Sequence, residues 1–198
     1  MPSRPISRTP SGYRGVRHET LGSDLLSVQR SLGAIASNPA QVSRLLGEPS
    51  SSRLAQVQDD GWYPIDWLLE MMDIIDERIG PFGLLKLGRV LFNQSHAAIV
   101  QEHMKSGRDV VHGVNAMYHH ANRGEEIGGW EVLSFEDNQA RLRKTTPHHC
   151  MMEEGIVAEA LKCVGSPALI SQSECLRRGA NACTFVIDPH VGAHWQSS

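Results

Sequence analysis

The stretch "CMMEEGIVAEALKCVGSPALISQSECLRRGANACTFVID", residues 150–188, contains one helical segment followed by two strand-like segments. Residues 151–165 are typical of a helix, which Gly165 and Pro167 terminate. The segments "ALISQSECL" and "ACTFVID" flank "RRGAN", where Gly179 is available for a positive φ. A hairpin that follows a helix predicts an antiparallel sheet with that helix packed on it.

The rest of the chain predicts a second hairpin and a helical N-terminal half. Residues 130–145, "WEVLSFEDNQARLRKT", alternate as strands do around a turn at 136–138. Residues 62–80 form the clearest helix and Gly80-Pro81 ends it, with an apolar stripe of Leu68, Met71, Met72, Ile75 and Ile79. The sequence therefore predicts an α+β fold with a helical N-terminal half, and with an antiparallel sheet built from hairpins and a packed helix in the C-terminal part.

Length and composition indicate one domain with two tails. The 198 residues are enough for a single core. Residues 1–20 are rich in Pro, Ser, Gly and Arg and are predicted to be a disordered basic tail. Residues 21–188 are predicted to form a single α+β domain with an N-terminal helical extension, and residues 189–198 a C-terminal tail.

Charge and hydrophobicity exclude several classes of protein. No apolar run reaches the roughly 18 residues of a membrane span, and the N-terminal arginines precede no apolar segment of a secretion signal. A cytoplasmic protein without a membrane span is expected. The net charge is −3, of which residues 1–20 carry +3, so the remainder carries −6. Nucleic-acid binding by this acidic main domain is not expected, because phosphate contacts need clustered cations.

All four cysteines lie in the last quarter of the chain, at Cys150, Cys163, Cys175 and Cys183. In a cytoplasmic chain such a cluster favours metal binding or thiol chemistry over disulfides. Cys150 precedes the helix, and Cys175 and Cys183 lie on opposite arms of the last hairpin. The three cysteines are predicted to converge, either as three ligands of a tetrahedral zinc site or as small core residues. The candidate fourth ligands are His148, His149, Gln172 and Glu174.

The pattern in residues 150–187 resembles the V4R (4-vinyl reductase) domain family, in which a Cys precedes a Gly-containing helix and a Glu-Cys strand leads through a Gly turn to another Cys. The resemblance extends more weakly over residues 85–188. It implies a small-molecule sensory module whose fold is similar to the haem nitric-oxide-binding domain and to a vesicle-tethering subunit. The upstream motifs Tyr63-Pro64 and Leu87-Gly88-Arg89 resemble an uncharacterised myxobacterial family of about 200 residues, which implies a bacterial chain of this size.

The V4R resemblance also implies particular sites. A similar domain in phenol-sensing activators binds structural zinc through three Cys and a Glu, to which Cys150, Cys175 and Cys183 correspond. Gln172 stands at the Glu position, so His149 or Glu174 would have to replace it, and His149 is the fourth ligand we predict. A small apolar ligand is expected between the sheet and the helices of residues 84–120, beside Phe92, Val114, Tyr118 and His112.

Haem is a less favoured cofactor than zinc. Among the ten histidines, His112 in "VVHGVNAMY" is the best axial candidate, although a hydrogen-bonded His is the commoner outcome. The Tyr-x-Ser-x-Arg signature of the haem nitric-oxide-binding family is missing. The sequence also contains no G-x-S-x-G, phosphate loop or dinucleotide fingerprint, so an enzyme is not expected.

The sequence thus predicts a non-catalytic ligand-binding module that acts on a partner signalling protein. The alternative is an interaction module without a small ligand. A homodimer is expected, and the stripe from Leu68 to Ile79 is able to serve either the core or a dimer seam.

Overall fold

The computed structural model describes residues 18–36 and 39–196. Most of the predicted basic tail, residues 1–17, lies outside the described residues. Residues 19 and 20 of the predicted tail belong to the first strand.

The N-terminal half consists of helices around a small sheet. In chain order its elements are β1 (Glu19–Leu21), α1 (Gly22–Ile35), α2 (Pro39–Leu46), α3 (Glu48–Leu54), β2 (Trp62–Pro64), α4 (Ile65–Ser95), α5 (Ala97–His103), α6 (Gly107–Ala121) and β3 (Asn122–Arg123). The three strands form an antiparallel sheet in the order β2-β1-β3. A capping box of Ser106 and Asp109 fixes the start of α6.

The C-terminal half is the predicted sheet with its helix. Its elements are β4 (Trp130–Phe135), β5 (Ala140–Lys144), α7 (Cys150–Cys163), β6 (Ala168–Glu174), a short 3₁₀ turn (Leu176–Arg178) and β7 (Cys183–Pro189). The four strands are antiparallel in the order β4-β5-β7-β6. Gly179 has a φ of 93° after the 3₁₀ turn, as the hairpin requires. The α+β prediction and both predicted hairpins are confirmed.

The helix predicted over residues 62–80 begins at Ile65 and continues, through a kink, to Ser95. Gly80 has a φ of 72°, which interrupts the helical path without a Cβ penalty. Pro81 then occupies the first turn of the resumed helix, where its missing N–H costs no hydrogen bond. The predicted end was correct for the first segment, but the second segment stacks directly on it.

The apolar stripe of α4 belongs to the core. Leu68, Met71, Met72 and Ile75 are buried, whereas Ile79, next to the kink, is 37% exposed. Farther along, Gly88 of α4 faces the backbone of α7 and Gly155 of α7 faces the backbone of α4. These two glycines allow the helices to cross in backbone contact.

The residues after β7 pack onto the end of the sheet. Trp195 is 5% exposed, stacks on Phe135 with ring centroids 4.9 Å apart, and donates its indole N–H to Glu136 O at 2.7 Å. The segment predicted as a C-terminal tail therefore contributes an aromatic anchor to the domain. Within the described residues, no helix combines the length and apolar character that crossing a bilayer requires.

Candidate functional site

The structure brings Cys150, Cys175 and Cys183 together at the start of α7 and the turn of the β6–β7 hairpin. All three are buried, and their sulfurs lie within 4.8 Å of one another. The Sγ atoms of Cys150 and Cys175 are 3.3 Å apart, and Leu176 N–H donates to Cys183 Sγ at 3.2 Å. Hydrogen bonds from the other two thiols and from the backbone of the 3₁₀ turn lower the pKa of Cys175, which makes it the favoured thiolate of the cluster.

His149, the predicted fourth ligand, is not part of the cluster that the three cysteines form. Its Nδ1 accepts from Met151 N–H at 3.2 Å, and its Nε2 lies 3.3 Å from Asp76 Oδ2. Gln172 is also turned away, because its amide donates to Glu154 Oε2 at 2.8 Å. Glu174 accepts from Thr184 Oγ1 at 2.8 Å. Among the described residues, the three cysteines therefore form a cluster without a fourth His, Cys or carboxylate ligand.

A buried ion pair lies beside the cysteines. Lys144 Nζ is 2.9 Å from Glu153 Oε2, with the side chains 1% and 6% exposed. Lys144 also donates to the carbonyls of Thr146 and His148, at 3.0 and 2.8 Å, and Thr146 Oγ1 donates to Glu153 at 2.9 Å. Burial lowers the pKa of Lys144, and the charges of the neighbouring cysteines oppose this shift. The loop between β5 and α7 is held by this network.

His148 is held in that loop with one ring nitrogen unused. Its Nδ1 lies 3.6 Å from Glu153 Oε1, and Tyr118 packs edge-on against the ring with centroids 5.3 Å apart. Burial and the charge of Lys144 lower the pKa of His148 to about 3, so the imidazole is neutral near pH 7. Nε2 is buried and has no hydrogen-bond partner among the described residues. Such an atom is uncommon in a folded protein and indicates a ligand or water position.

His148 lines a cavity between α1, α6, α7 and β4, which we call the inner cavity. Its volume is about 60 Å³, and its lining includes Asp24, Val114, Tyr118, Trp130, His148, Glu153 and Val157. One water needs roughly 10–15 Å³ measured this way, so the cavity has space for roughly four to six heavy atoms.

Asp24 is the second unusual polar group of the inner cavity. It lies in the first turn of α1, is half-buried, and lines both the inner cavity and an adjoining one. Within the described part of the chain it has neither a hydrogen-bond nor an ion-pair partner. Burial raises the pKa of Asp24 to about 7. A carboxyl group without a counter-charge in an enclosed position destabilises the fold, which is common at functional sites.

Two further cavities adjoin the inner cavity at His96. One has a volume of about 280 Å³ and includes Asp24, Ser27 and His120 in its lining. The other has a volume of about 260 Å³ and an apolar lining that includes Ile99, Val100, Met104 and Met117. Burial, followed by the charge of His120, lowers the pKa of His96. Together the three cavities reach the volume range of small-molecule sites, about 300–1,000 Å³.

The predicted ligand-binding residues separate into two groups. Val114 and Tyr118 line the inner cavity. Phe92 is fully buried in the core and does not line it, and His112 is exposed and packs against Phe135 with ring centroids 5.6 Å apart. Sequence reasoning missed Asp24 of α1, Trp130 of β4 and His96 between α4 and α5, which are distant from one another in the chain. His148 was a candidate zinc ligand, and it was not expected to line a cavity.

The fold is similar to those of several solved H-NOX proteins. An H-NOX protein from S. oneidensis in the Fe(II)NO state superposes with a TM-score of 0.66 at 17% identity, covering 85% of this chain and 98% of that one. An Fe(II) unliganded H-NOX variant from K. algicida gives a TM-score of 0.66 at 14% identity, covering 89% and 100%. An oxygen-binding H-NOX domain related to soluble guanylate cyclases gives 0.59 at 8% identity, covering 89% and 98%.

The chain has the fold of H-NOX domains. The V4R assignment is therefore wrong: the structural neighbours are H-NOX domains, whereas the haem nitric-oxide-binding domain was expected only as a related fold. The pattern of cysteines, helix and hairpin did not separate the two families, because it describes a local arrangement. No protein-family model and no curated protein matches the sequence.

The residues of the inner cavity do not fit haem. Its volume of about 60 Å³ is far below that of a macrocycle site. Its charged lining consists of the carboxyl groups of Asp24 and Glu153, which oppose the propionates of haem. His112, the predicted axial ligand, lies on the exposed face of α6. The inner cavity by itself is therefore not a haem site, whereas His96, His103 and His120 line the two larger cavities beside it.

The raised pKa of Asp24 predicts a pH-dependent stability. Between pH 4 and pH 7 the unfolded chain releases this proton while the folded chain keeps it, so the free energy of unfolding falls as the pH rises through that window. We expect Asp24→Asn to remove this loss and to stabilise the protein at pH 8 by about 2–4 kcal/mol. Urea unfolding of both proteins at pH 5 and pH 8 measures it. Asp66→Asn, in the exposed first turn of α4, is the control, and an equal gain in both variants would contradict the prediction.

Proposed function

We propose that this chain is a small-molecule-binding sensory module with an H-NOX-like fold, and that its ligand occupies the inner cavity without haem. The observation that carries the proposal is the buried, unpartnered Nε2 of His148 in the lining of that cavity. The solved neighbours support a small ligand, since one of them is in an Fe(II)NO state and another is an oxygen complex.

The position of the inner cavity suits a sensor. Asp24 and Val114 belong to the helical half, whereas Trp130 and His148 belong to the sheet half. A ligand that contacts all four side chains draws the two halves together. His148 is connected through its carbonyl to Lys144 and from there to Glu153 of α7, so ligand contact is able to shift α7.

Thermal unfolding with a library of small fragments tests the proposal. A ligand at 100 times its Kd stabilises the folded state by about 2.7 kcal/mol, which corresponds to about 5–10 °C in Tm for a chain of this size. We expect such shifts for compounds of four to six heavy atoms and none of comparable size for Val114→Phe, which fills the cavity. Val186→Phe on β7, outside the cavity, should respond like the wild type.

A haemin titration belongs to the same experiment. We expect no Soret band of histidine-ligated haem from the purified chain. A stoichiometric Soret band that Val114→Phe abolishes would replace the haem-free proposal by a haem sensor. Fragment screening without any shift would contradict both.

We also propose that the cysteine cluster holds a zinc ion through Cys150, Cys175 and Cys183. Three sulfurs bound to one zinc at about 2.3 Å lie roughly 3.5–4 Å apart, close to the spacing of Cys150 and Cys175. We expect about one equivalent of zinc in protein prepared without chelator, and its loss in Cys175→Ser together with a lower Tm. Cys163→Ser, outside the cluster, is the control. Metal-free protein with unchanged stability would contradict this proposal.

The homodimer stays a prediction. The α4 stripe from Leu68 to Ile75 is used by the core of one chain, so a dimer would need another surface, such as the exposed Phe82 beside the α4 kink. Light scattering on the wild type and Phe82→Ser measures it. A monomer at micromolar concentration would remove the dimeric interaction module as an alternative.

A further inference from the structure

We propose that the inner cavity binds a short organic cation, a protonated primary amine, between the carboxyl group of Asp24 and Nε2 of His148. This inference rests on the proposed function, because it names the chemical class of the ligand for the same cavity. It goes beyond it in predicting a positive charge on the ligand.

The polar groups that the inner cavity offers are hydrogen-bond acceptors when the proton of His148 is on Nδ1, the nitrogen that lies 3.6 Å from Glu153 Oε1. Asp24 has no partner within the described chain, and His148, 7% exposed, has none for Nε2. Asn122 Oδ1, an acceptor that also belongs to the lining, is likewise buried without a partner among the described residues, whereas Glu153 and Tyr118 are engaged. Glu153 accepts from Lys144 and Thr146, and the Tyr118 hydroxyl donates to Ile127 O at 2.9 Å. A ligand that satisfies the free groups must therefore bring N–H or O–H donors.

The charge of the inner cavity favours a donor group that carries a positive charge. The charge of Glu153 is already met by Lys144 at 2.9 Å, so Asp24 is the carboxyl group without a counter-charge. Arg30 borders the adjoining cavity but donates to Ser27 Oγ at 3.1 Å and lies 3.6 Å from Asp59. An ammonium group supplies the missing positive charge and up to three donors. An anion is repelled, and a neutral alcohol leaves the carboxylate of Asp24 uncompensated.

The aromatic and apolar lining of the inner cavity suits the alkyl part of a primary amine. The aromatic residues Tyr118 and Trp130 line the cavity, and aromatic rings attract cations. Val114, Ile156 and Val157 provide an apolar surface for a short alkyl chain. At about 60 Å³ the cavity accommodates n-propylammonium, and a longer chain reaches the adjoining cavity that Asp24 also lines.

Calorimetric titration with n-propylammonium chloride at pH 8 tests the proposal, with 1-propanol and sodium propionate as the neutral and anionic counterparts. We expect n-propylammonium to bind at least tenfold more tightly than either. Asp24→Asn should lower its affinity at least tenfold, and Asp66→Asn, the matched exposed carboxyl group in a first helical turn, should leave it unchanged. Val114→Phe should abolish binding, and circular dichroism verifies the fold of each variant.

The outcomes separate this inference from the function on which it rests. Equal affinity for 1-propanol, or full affinity in Asp24→Asn, would overturn the amine proposal. If n-propylammonium does not bind but an uncharged fragment raises Tm in the wild type and not in Val114→Phe, the sensory function stands and the cationic ligand is wrong. If no compound binds, both are wrong.

Discussion

Replacing Glu153 by glutamine is expected to lower the free energy of unfolding by about 3–5 kcal/mol. Glu153 and Lys144 form a 2.9 Å ion pair with both side chains almost completely buried. The variant keeps the shape of the side chain but removes the carboxylate that lies 2.9 Å from the almost completely buried Lys144 ammonium. The carbonyls of Thr146 and His148 still accept from it, yet they do not neutralise it. Urea unfolding at pH 7 gives the value.

Two variants provide the controls for the ion pair. Glu131→Gln breaks the pair with Arg143, in which both side chains are about half exposed, and should cost less than about 1 kcal/mol. The double variant Lys144→Met/Glu153→Gln should recover part of the loss, because it removes the stranded charge as well. A cost below about 1 kcal/mol for Glu153→Gln would show that the pair is solvated or that Lys144 is neutral.

Replacing Gly155 by alanine is expected to cost about 3 kcal/mol, although alanine is the better helix former. A Cβ at this position would overlap the carbonyl oxygen of Leu85 and would lie 3.1 Å from the backbone N of Arg89. Backbone atoms cannot rotate away as a side chain does, so α4 and α7 must separate. Gly88→Ala should behave similarly, since its Cβ would overlap Met152 O. Thermal unfolding measures both.

Gly33→Ala is the matched control, because Gly33 is also helical but has no atom within 4 Å of the added Cβ. There the same substitution should stabilise the protein by about 0.4–1 kcal/mol, through the lower entropy of the unfolded chain. Opposite signs at Gly33 and Gly155 would establish that the close crossing of α4 and α7, and not helix propensity, decides the effect. Stabilisation at both positions would contradict the crossing.

The local elements were readable from the sequence because local chemistry determines them. The two hairpins follow from alternation and turn residues, and Gly179 has the positive φ that its position implied. The convergence of Cys150, Cys175 and Cys183 followed from the helix start and the hairpin arms. The burial of Lys144 was also within reach, because Ala140, Leu142 and Lys144 share the buried face of β5.

The inner cavity could not be predicted, because its lining comes from elements that are distant in the chain. Asp24 in the first turn of a helix is expected to be exposed and to interact with the helix dipole. Only the tertiary structure, in which α1 packs on α4, places Asp24 in one cavity lining with residues of α6 and α7. His112 was favoured over His96 from its apolar neighbours, yet the rotation of α6 turns His112 outwards.

The sequence by itself determined the fold class, the positions of the hairpins and the meeting of three cysteines, since these depend on periodicity, turns and short separations along the chain. The tertiary structure alone decided that the fold is that of H-NOX domains, that Gly88 and Gly155 let α4 and α7 touch, and that Asp24 and His148 face one cavity. Periodicity indicates which face of an element is buried, whereas the partner that covers this face is chosen by the packing of the whole chain.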